Sequence, residues 1–266
     1  MISIIFTSDE VVSLRAGQSI ISRLGLNEGS PGVYLNGEIE LRKIGSSLLN
    51  AEFLDGLGSD LIIFLSRHSS SSGVPAFTVH PTGNWGGEAQ LGGKPYALSV
   101  SAPSAMLSIL ELMSGSGLSV EKTYEATHHG PLLDTPSLFA EYGGGSEAIK
   151  DKGMAERLGL MVYSAAEGIS ASDTEYSKVA IGIGSNHYPS KFTKLAVEKG
   201  YAFGHMMPKH ALVDGSEAVL SMIGKAVERS AERPDCAVID WKSFNSESRS
   251  RIIKRLDGIG IDHERI

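Results

Sequence analysis

The chain has 266 residues, 41% of them hydrophobic and 21% charged, and carries a formal net charge of −7. That is the balance of a water-soluble globular protein with enough chain for one large core, or a core with a small sub-domain. It excludes a global attraction to nucleic acid, so any RNA contact must rest on a local basic patch. The single cysteine, Cys236, excludes an intramolecular disulfide and a Cys-rich zinc site.

In chain order, Ile2–Phe6 is a short apolar run with no basic flank before it and Asp9 and Glu10 close behind. It predicts a first strand and not a signal sequence. Strand-length runs rich in β-branched and aromatic residues recur at Leu61–Leu65, Ala76–Val79, Tyr96–Val100, Val120–Ala126, Val179–Ile183, Tyr201–Phe203 and Ala237–Ile239. Helices are predicted at Pro103–Met113, Glu147–Leu158, Lys191–Lys199, Ser216–Ala231 and Glu247–Leu256. Pro103 suits a first turn and Gly115 a position just past the end. In Ser216–Ala231 the apolar set Ala218, Val219, Met222, Ile223, Ala226 and Val227 recurs at helical spacing.

Strands alternating with helices predict a three-layer α/β fold with a mixed, largely parallel sheet flanked by helices. No stretch reads as an interdomain linker, so residues 1–266 are expected to form one compact body. No apolar run reaches the roughly 18 residues of a membrane span. With Cys236 inside a buried-looking strand, the expected location is the cytoplasm.

The chemistry-bearing residues cluster in loops. Of the eight histidines, most stand in short Gly/Ser/Pro-rich segments after an apolar run: His68, His80, His128, His129, His187 and His205. Imidazole is suited both to proton transfer near neutral pH and to metal ligation. In an α/β sheet, ligands bind beyond the carboxyl ends of the strands, which predicts one site at one rim if the strands are parallel. An antiparallel strand would carry its loop to the other rim. His128-His129-Gly130-Pro131 is the most pointed segment, with Glu125 and Asp134 nearby as carboxylates for a zinc-type ligand set. Arg67 suits a phosphate or carboxylate. Asn84 suits polarising a carbonyl, and Trp85 suits either stacking on a base or closing the core. Lys191, Lys194 and Lys209 form a candidate basic patch. Gly182-x-Gly184 follows a strand but lacks the third glycine of a dinucleotide loop.

Taken together, Ser66-Arg67-His68-Ser69-Ser70, Pro75–Asn84, Glu125–Pro131, Pro136–Glu141, His187-Tyr188-Pro189, Phe192-Thr193 and Gly204–Lys209 resemble the archaeal-type D-aminoacyl-tRNA deacylases, which have plant relatives. The segments run in family order from about residue 66 to 212. Where that family has glycines before the His-Tyr pair, this chain has Ser185-Asn186.

The resemblance implies hydrolysis of the ester joining a D-amino acid to the 3′ end of tRNA, a quality-control step in translation. It also implies zinc and a fold similar to the phosphorylases, peptidyl-tRNA hydrolases and zinc carboxypeptidases. On this reading the candidate catalytic residues are His128, His129, His187 and His205. The candidate metal ligands are His68, His80, His128, His129, Glu125 and Glu141. Substrate and tRNA contacts fall to Arg67, Asn84, Trp85, Lys191, Lys194 and Lys209. The expected partner is aminoacyl-tRNA, with no DNA, membrane or obligatory protein partner. A zinc peptidase or amidase, and a non-catalytic RNA- or metal-binding module, are the rival classes.

Overall fold

The computed structural model describes residues 1–171, 175–212 and 216–266. The first half runs β1 (Ile2–Thr7), α1 (Val11–Leu24), β2 (Glu28–Ser30), β3 (Val33–Asn36), β4 (Ile39–Ile44), β5 (Leu61–Ser69) and β6 (Ala76–His80). A two-stranded pair, β7 (Gly83–Asn84) and β8 (Ala97–Leu98), precedes α2 (Pro103–Gly115), β9 (Glu121–Tyr124) and β10 (Ser137–Gly144). The second half runs α3 (Ser146–Lys150), α4 (Lys152–Ser170), β11 (Lys178–Ser185), α5 (Ser190–Lys199), β12 (Tyr201–Pro208), α6 (Glu217–Glu228), β13 (Cys236–Ile239), α7 (Ser246–Ile259) and β14 (Asp262–Arg265).

Two sheets carry the fold. The larger has eight strands in the order β2-β3-β4-β1-β5-β10-β6-β9, and the smaller four in the order β12-β11-β13-β14. Strands β4, β1, β5 and β10 are parallel, β6 is antiparallel to β10, and the smaller sheet is parallel throughout. This is the mixed, largely parallel α/β architecture the alternation predicts.

Side chains alternate across the larger sheet, as the two-residue period of strands requires. Ile4, Phe6, Ile63, Leu65, Leu138, Ala140, Phe77 and Val79 lie in the main core with buried residues of α1, α2 and α4. The opposite face carries Ile5, Ile62, Phe64 and Phe139 into a smaller core with Leu48, Leu54 and Leu133. Further along that second face, the apolar residues give way to the site described below.

Several expectations are corrected. The run predicted as one helix over Glu147–Leu158 is two helices, because Asp151 stops α3 and caps α4, its carboxylate accepting the Met154 N–H at 3.1 Å. The predicted strand Tyr96–Val100 is only Ala97–Leu98, and Val120–Ala126 is only Glu121–Tyr124. Glu125 N–H still donates to the Val79 carbonyl at 3.0 Å, and from Ala126 the chain turns to the second sheet. Helix α1 and the central strand β10 were not read from the sequence. In β10 the apolar run is broken by Glu141 and ends in consecutive glycines, which hides its period. At Gly143 a Cβ would lie 2.0 Å from the His68 carbonyl oxygen, so the strands approach there as only glycine allows. Gly182 likewise makes room for the Phe192 ring, 2.6 Å from where its Cβ would stand, and not for a dinucleotide.

Candidate active site

Strand register assembles the site. Parallel pairing sets Ser66 beside Glu141 and His68 beside Gly143; antiparallel pairing sets Thr78 beside Glu141 and His80 beside Phe139. Residues side by side in a sheet share a face, so His68, Glu141 and His80 all project from one side of three adjacent strands. This corrects the rim expectation. His80 ends an antiparallel strand and leaves toward the other rim, yet it meets His68 because Glu141 lies between them on the shared face.

The 125–129 segment closes over this face. Its backbone bridges the sheets: Ala126 N–H donates to the His187 carbonyl at 2.8 Å and Thr127 N–H to that of Met206 at 3.0 Å. Glu125 becomes a hub. Its Oε2 lies 2.7 Å from His187 Nε2 and 3.8 Å from His128 Nε2, and its Oε1 lies 3.0 Å from His68 Nδ1. Glu141 Oε2 is 3.6 Å from His68 Nδ1, and Glu141 Oε1 is 3.8 Å from His80 Nε2.

Three imidazoles share one arrangement. His80 Nδ1–H donates to the Pro81 carbonyl, His128 Nδ1–H to Ala126 and His129 Nδ1–H to Gly130, at 3.2, 2.8 and 2.5 Å. Each Nε2 faces the group: on neutral His128 and His129 it holds a lone pair, and on His80 it carries the proton that faces Glu141. Their rings sit 4.2 to 4.9 Å apart by centroid. His129 adopts a positive φ of 44°, a conformation seldom used by non-glycine residues and one that aims its ring into this group.

Charge is unevenly shared. Burial works against the charged form of His68, but Glu125 and Glu141 outweigh it and hold it up to about 9. Burial likewise opposes charge on His80, and Glu141 raises it nonetheless. Burial would raise Glu141; instead His68 and His80 bring it down to about 2. Glu125, also opposed by burial, is held well below the usual carboxylate range by His187 and His68. His128 and His129 are neutral. Burial lowers both, the His80 charge adds to it, and His129 falls to about 4.

The centre opens into a cavity of about 660 Å³ lined by His68, Glu125, His128, His129, Glu141 and His187. Polar Thr7, Asp9, Glu10, Ser66 and Arg67 and apolar Leu48, Leu49 and Leu91 also line it. Glu10 accepts the Arg67 N–H at 2.7 Å. Burial, reinforced by the charge on Glu141, pushes Glu10 up to about 7. Asp9 and Glu10 follow β1, the strand-exit position predicted for the histidines. Extending the strand-exit argument from imidazoles to carboxylates finds them. Tyr188, whose hydroxyl meets His68 Nε2 at 3.2 Å, follows from adjacency to His187.

The structure does not bring every sequence candidate here. His205 is fully buried in β12, with Nε2–H shared between the carbonyls of Ser99 and Arg229 at 3.0 and 3.1 Å. Its Nδ1 meets the Thr127 hydroxyl at 3.2 Å, so it steadies the segment carrying His128 from behind. Trp85 is buried in the core of the smaller sheet and unavailable for stacking. Asn84 donates to the carbonyls of Gly92 and Lys94, folding a loop. Arg67 stands at the cavity mouth. Lys191 pairs with Asp240 at 2.7 Å, Lys194 lies 3.9 Å from Glu198, and Lys209 is exposed beyond β12.

Fold and site together define an α/β protein with a buried histidine–carboxylate centre facing a polar cavity. The family model for D-aminoacyl-tRNA deacylase matches residues 56–264, and the chain belongs to that family. The D-aminoacyl-tRNA deacylase of Thermococcus kodakarensis is 35% identical over 96% of this chain and 96% of its own. That of Ignicoccus hospitalis is 43% identical over 78% of this chain and 82% of its own. A crystal structure of a conserved protein of unknown function covers 100% of this chain and 95% of its own, with a TM-score of 0.89 at 27% identity.

Proposed function

We propose that this chain hydrolyses the ester between a D-amino acid and the 3′ end of tRNA, releasing both, and that zinc serves in the site. The reading rests on family membership and on one structural observation: the ring nitrogens of His80, His128 and His129 converge beside two carboxylates, each Nδ1–H tied to a backbone carbonyl. Imidazole ligands of metals are commonly held in this way. Two buried atoms support it: His80 Nε2 and Glu125 Oε1 have no hydrogen-bond partner, although Glu125 Oε1 lies close to His68. Histidine nitrogen with carboxylate oxygen suits zinc. His80, His128 and His129 would hold the ion, with Glu125 and Glu141 beside it. Bound there, zinc supplies Lewis-acid polarisation and acidifies water.

The protein's own groups do the rest. Glu125, accepting from His187 Nε2–H, leaves His187 Nδ1 as the basic nitrogen. His187 is the general base that takes a proton from the attacking water and returns it to the departing ribose oxygen. The ester is already activated, so positioning and one proton shuttle suffice. The cavity lining combines apolar Leu48, Leu49 and Leu91 with polar Glu10, Ser66 and Arg67, a mixed lining that supports discrimination between mirror-image substrates. No helix among the described residues is long and apolar enough to cross a membrane, and we place the activity in the cytoplasm.

The test compares release of amino acid from D- and L-aminoacyl-tRNA, each with and without a chelator restored by zinc. Faster D-release that a chelator abolishes is expected. Equal rates for the two isomers would sink the chiral reading, and indifference to the chelator the metal.

A further inference from the structure

The smaller sheet carries a basic strip that the site does not use. Its four strands are parallel, so the residues after each strand lie along one edge. Lys209 follows β12, the His187–Lys191 turn follows β11, Asp240, Trp241 and Lys242 follow β13, and Arg265 ends β14. At the β13–β14 end of the strip two guanidinium groups lie over one indole. Arg265 Cζ is 4.1 Å and Arg249 Cζ 4.8 Å from the Trp241 ring centroid.

The stack is held in place. Arg249 Nε donates to the Trp241 carbonyl at 2.9 Å, and Trp241 N–H donates to the Ile266 carboxylate at 3.1 Å. Among the described residues, neither guanidinium has a carboxylate within ion-pair distance. An arginine resting on an aromatic face keeps its in-plane N–H donors turned outward, the geometry that grips phosphate oxygens. The acidic groups along this end are Asp240, already paired with Lys191, the exposed Glu247 in the first turn of α7, and the terminal carboxylate of Ile266, one oxygen of which accepts the Trp241 N–H.

The strip leads from the centre itself. Tyr188 touches His68, and Tyr188, Lys191 and Asp240 line one small cavity of about 130 Å³. Trp241 is the next residue. A chain of net charge −7 repels a polyanion at long range, so an RNA substrate needs its positive charge concentrated in such a strip.

We propose that Arg249 and Arg265, stacked on Trp241, clasp the phosphate backbone of the tRNA acceptor arm while its 3′ end passes His187 into the cavity. This rests on the tRNA reading above. The test measures binding of uncharged tRNA by fluorescence anisotropy over a salt series, with the full chain and its Arg249→Gln/Arg265→Gln variant. The variant should bind about tenfold or more weakly, with a log–log salt slope shallower by about 2, one for each lost phosphate contact. Trp241→Leu, which keeps both charges but frees them, should fall between. Arg157→Gln, an exposed charge on α4 away from this edge, should bind as the parent does. A retained circular-dichroism spectrum guards against misfolding.

Equal binding and slope in parent and double variant overturn the clasp whatever the activity. So does an equal loss in Arg157→Gln. Weakened tRNA binding in a chain that deacylates nothing supports the clasp and refutes the catalytic reading alone.

Discussion

Glu125→Gln is the sharpest perturbation of the centre, because it removes a charge while keeping shape. Glu125 is buried and lies 3.0 Å from His68 Nδ1 and 2.7 Å from His187 Nε2. Against the opposing effect of burial, Glu125 and Glu141 hold His68 at about 9 from an ordinary 6.5, a net stabilisation of its charged form of about 3 kcal/mol. Glu125 is the nearer of the two carboxylates, so about 2 kcal/mol of that is assigned to it.

The sign follows from linkage. A histidine whose folded pKa is raised contributes stability fully present below about 6.5 and lost as pH rises through about 9. In chelator-stripped protein, Glu125→Gln should therefore cost about 2 kcal/mol at pH ~6.5, and the deficit should close by pH ~9.5. Urea denaturation at the two pH values reads it, at constant m-value. A deficit equal at both pH values would show that the carboxylate acts through shape alone, and the electrostatic account of the centre would be refuted.

Three other outcomes follow. Zinc added to weakly buffered stripped protein should release protons, because bound zinc displaces the proton that Glu141 holds on His80 against the effect of burial; isothermal titration in buffers of differing ionisation heat measures the count, and zero refutes the ligand role of His80. His80→Ala should lower zinc affinity at least tenfold to a hundredfold, read by equilibrium dialysis with a metal indicator. His205, depressed to about 4 by burial, contributes stability that is present above about 6.5 and lost as pH falls toward 4; the loss amounts to about 3 kcal/mol, and His205→Gln should flatten that acid slope in urea denaturation.

The fold class and most secondary elements were legible because local pattern suffices for them. β-Branched runs, Pro103 and Gly115 around a helix, and the apolar stripe over Ala218–Val227 all act within a few residues. Elements whose pattern is interrupted were not. Strand β10 carries Glu141 in mid-strand and ends in glycines, and α1 carries Gly17 where its backbone packs on Phe6, 2.3 Å from where a Cβ would stand.

The chemistry divides in the same way. Composition and spacing marked His68, His80, His128, His129, His187 and His205 as histidines fit for proton transfer or metal, and the structure gathers the first five; His68, His80 and His205 stand within strands and not in the loops expected for them. Which nitrogen faces which carboxylate depends on strand direction and register. His80 belongs to the centre because β6 runs antiparallel with His80 beside Phe139, and His205 stands outside it because its ring is buried behind the site, held by the carbonyls of Ser99 and Arg229. Glu125 and His187 lie 62 positions apart in the chain. Their 2.7 Å contact exists only because the 125–129 segment bridges the two sheets. A sequence specifies which side chains can do the chemistry. Distances of a few ångströms between residues this far apart are set by the packing of whole elements.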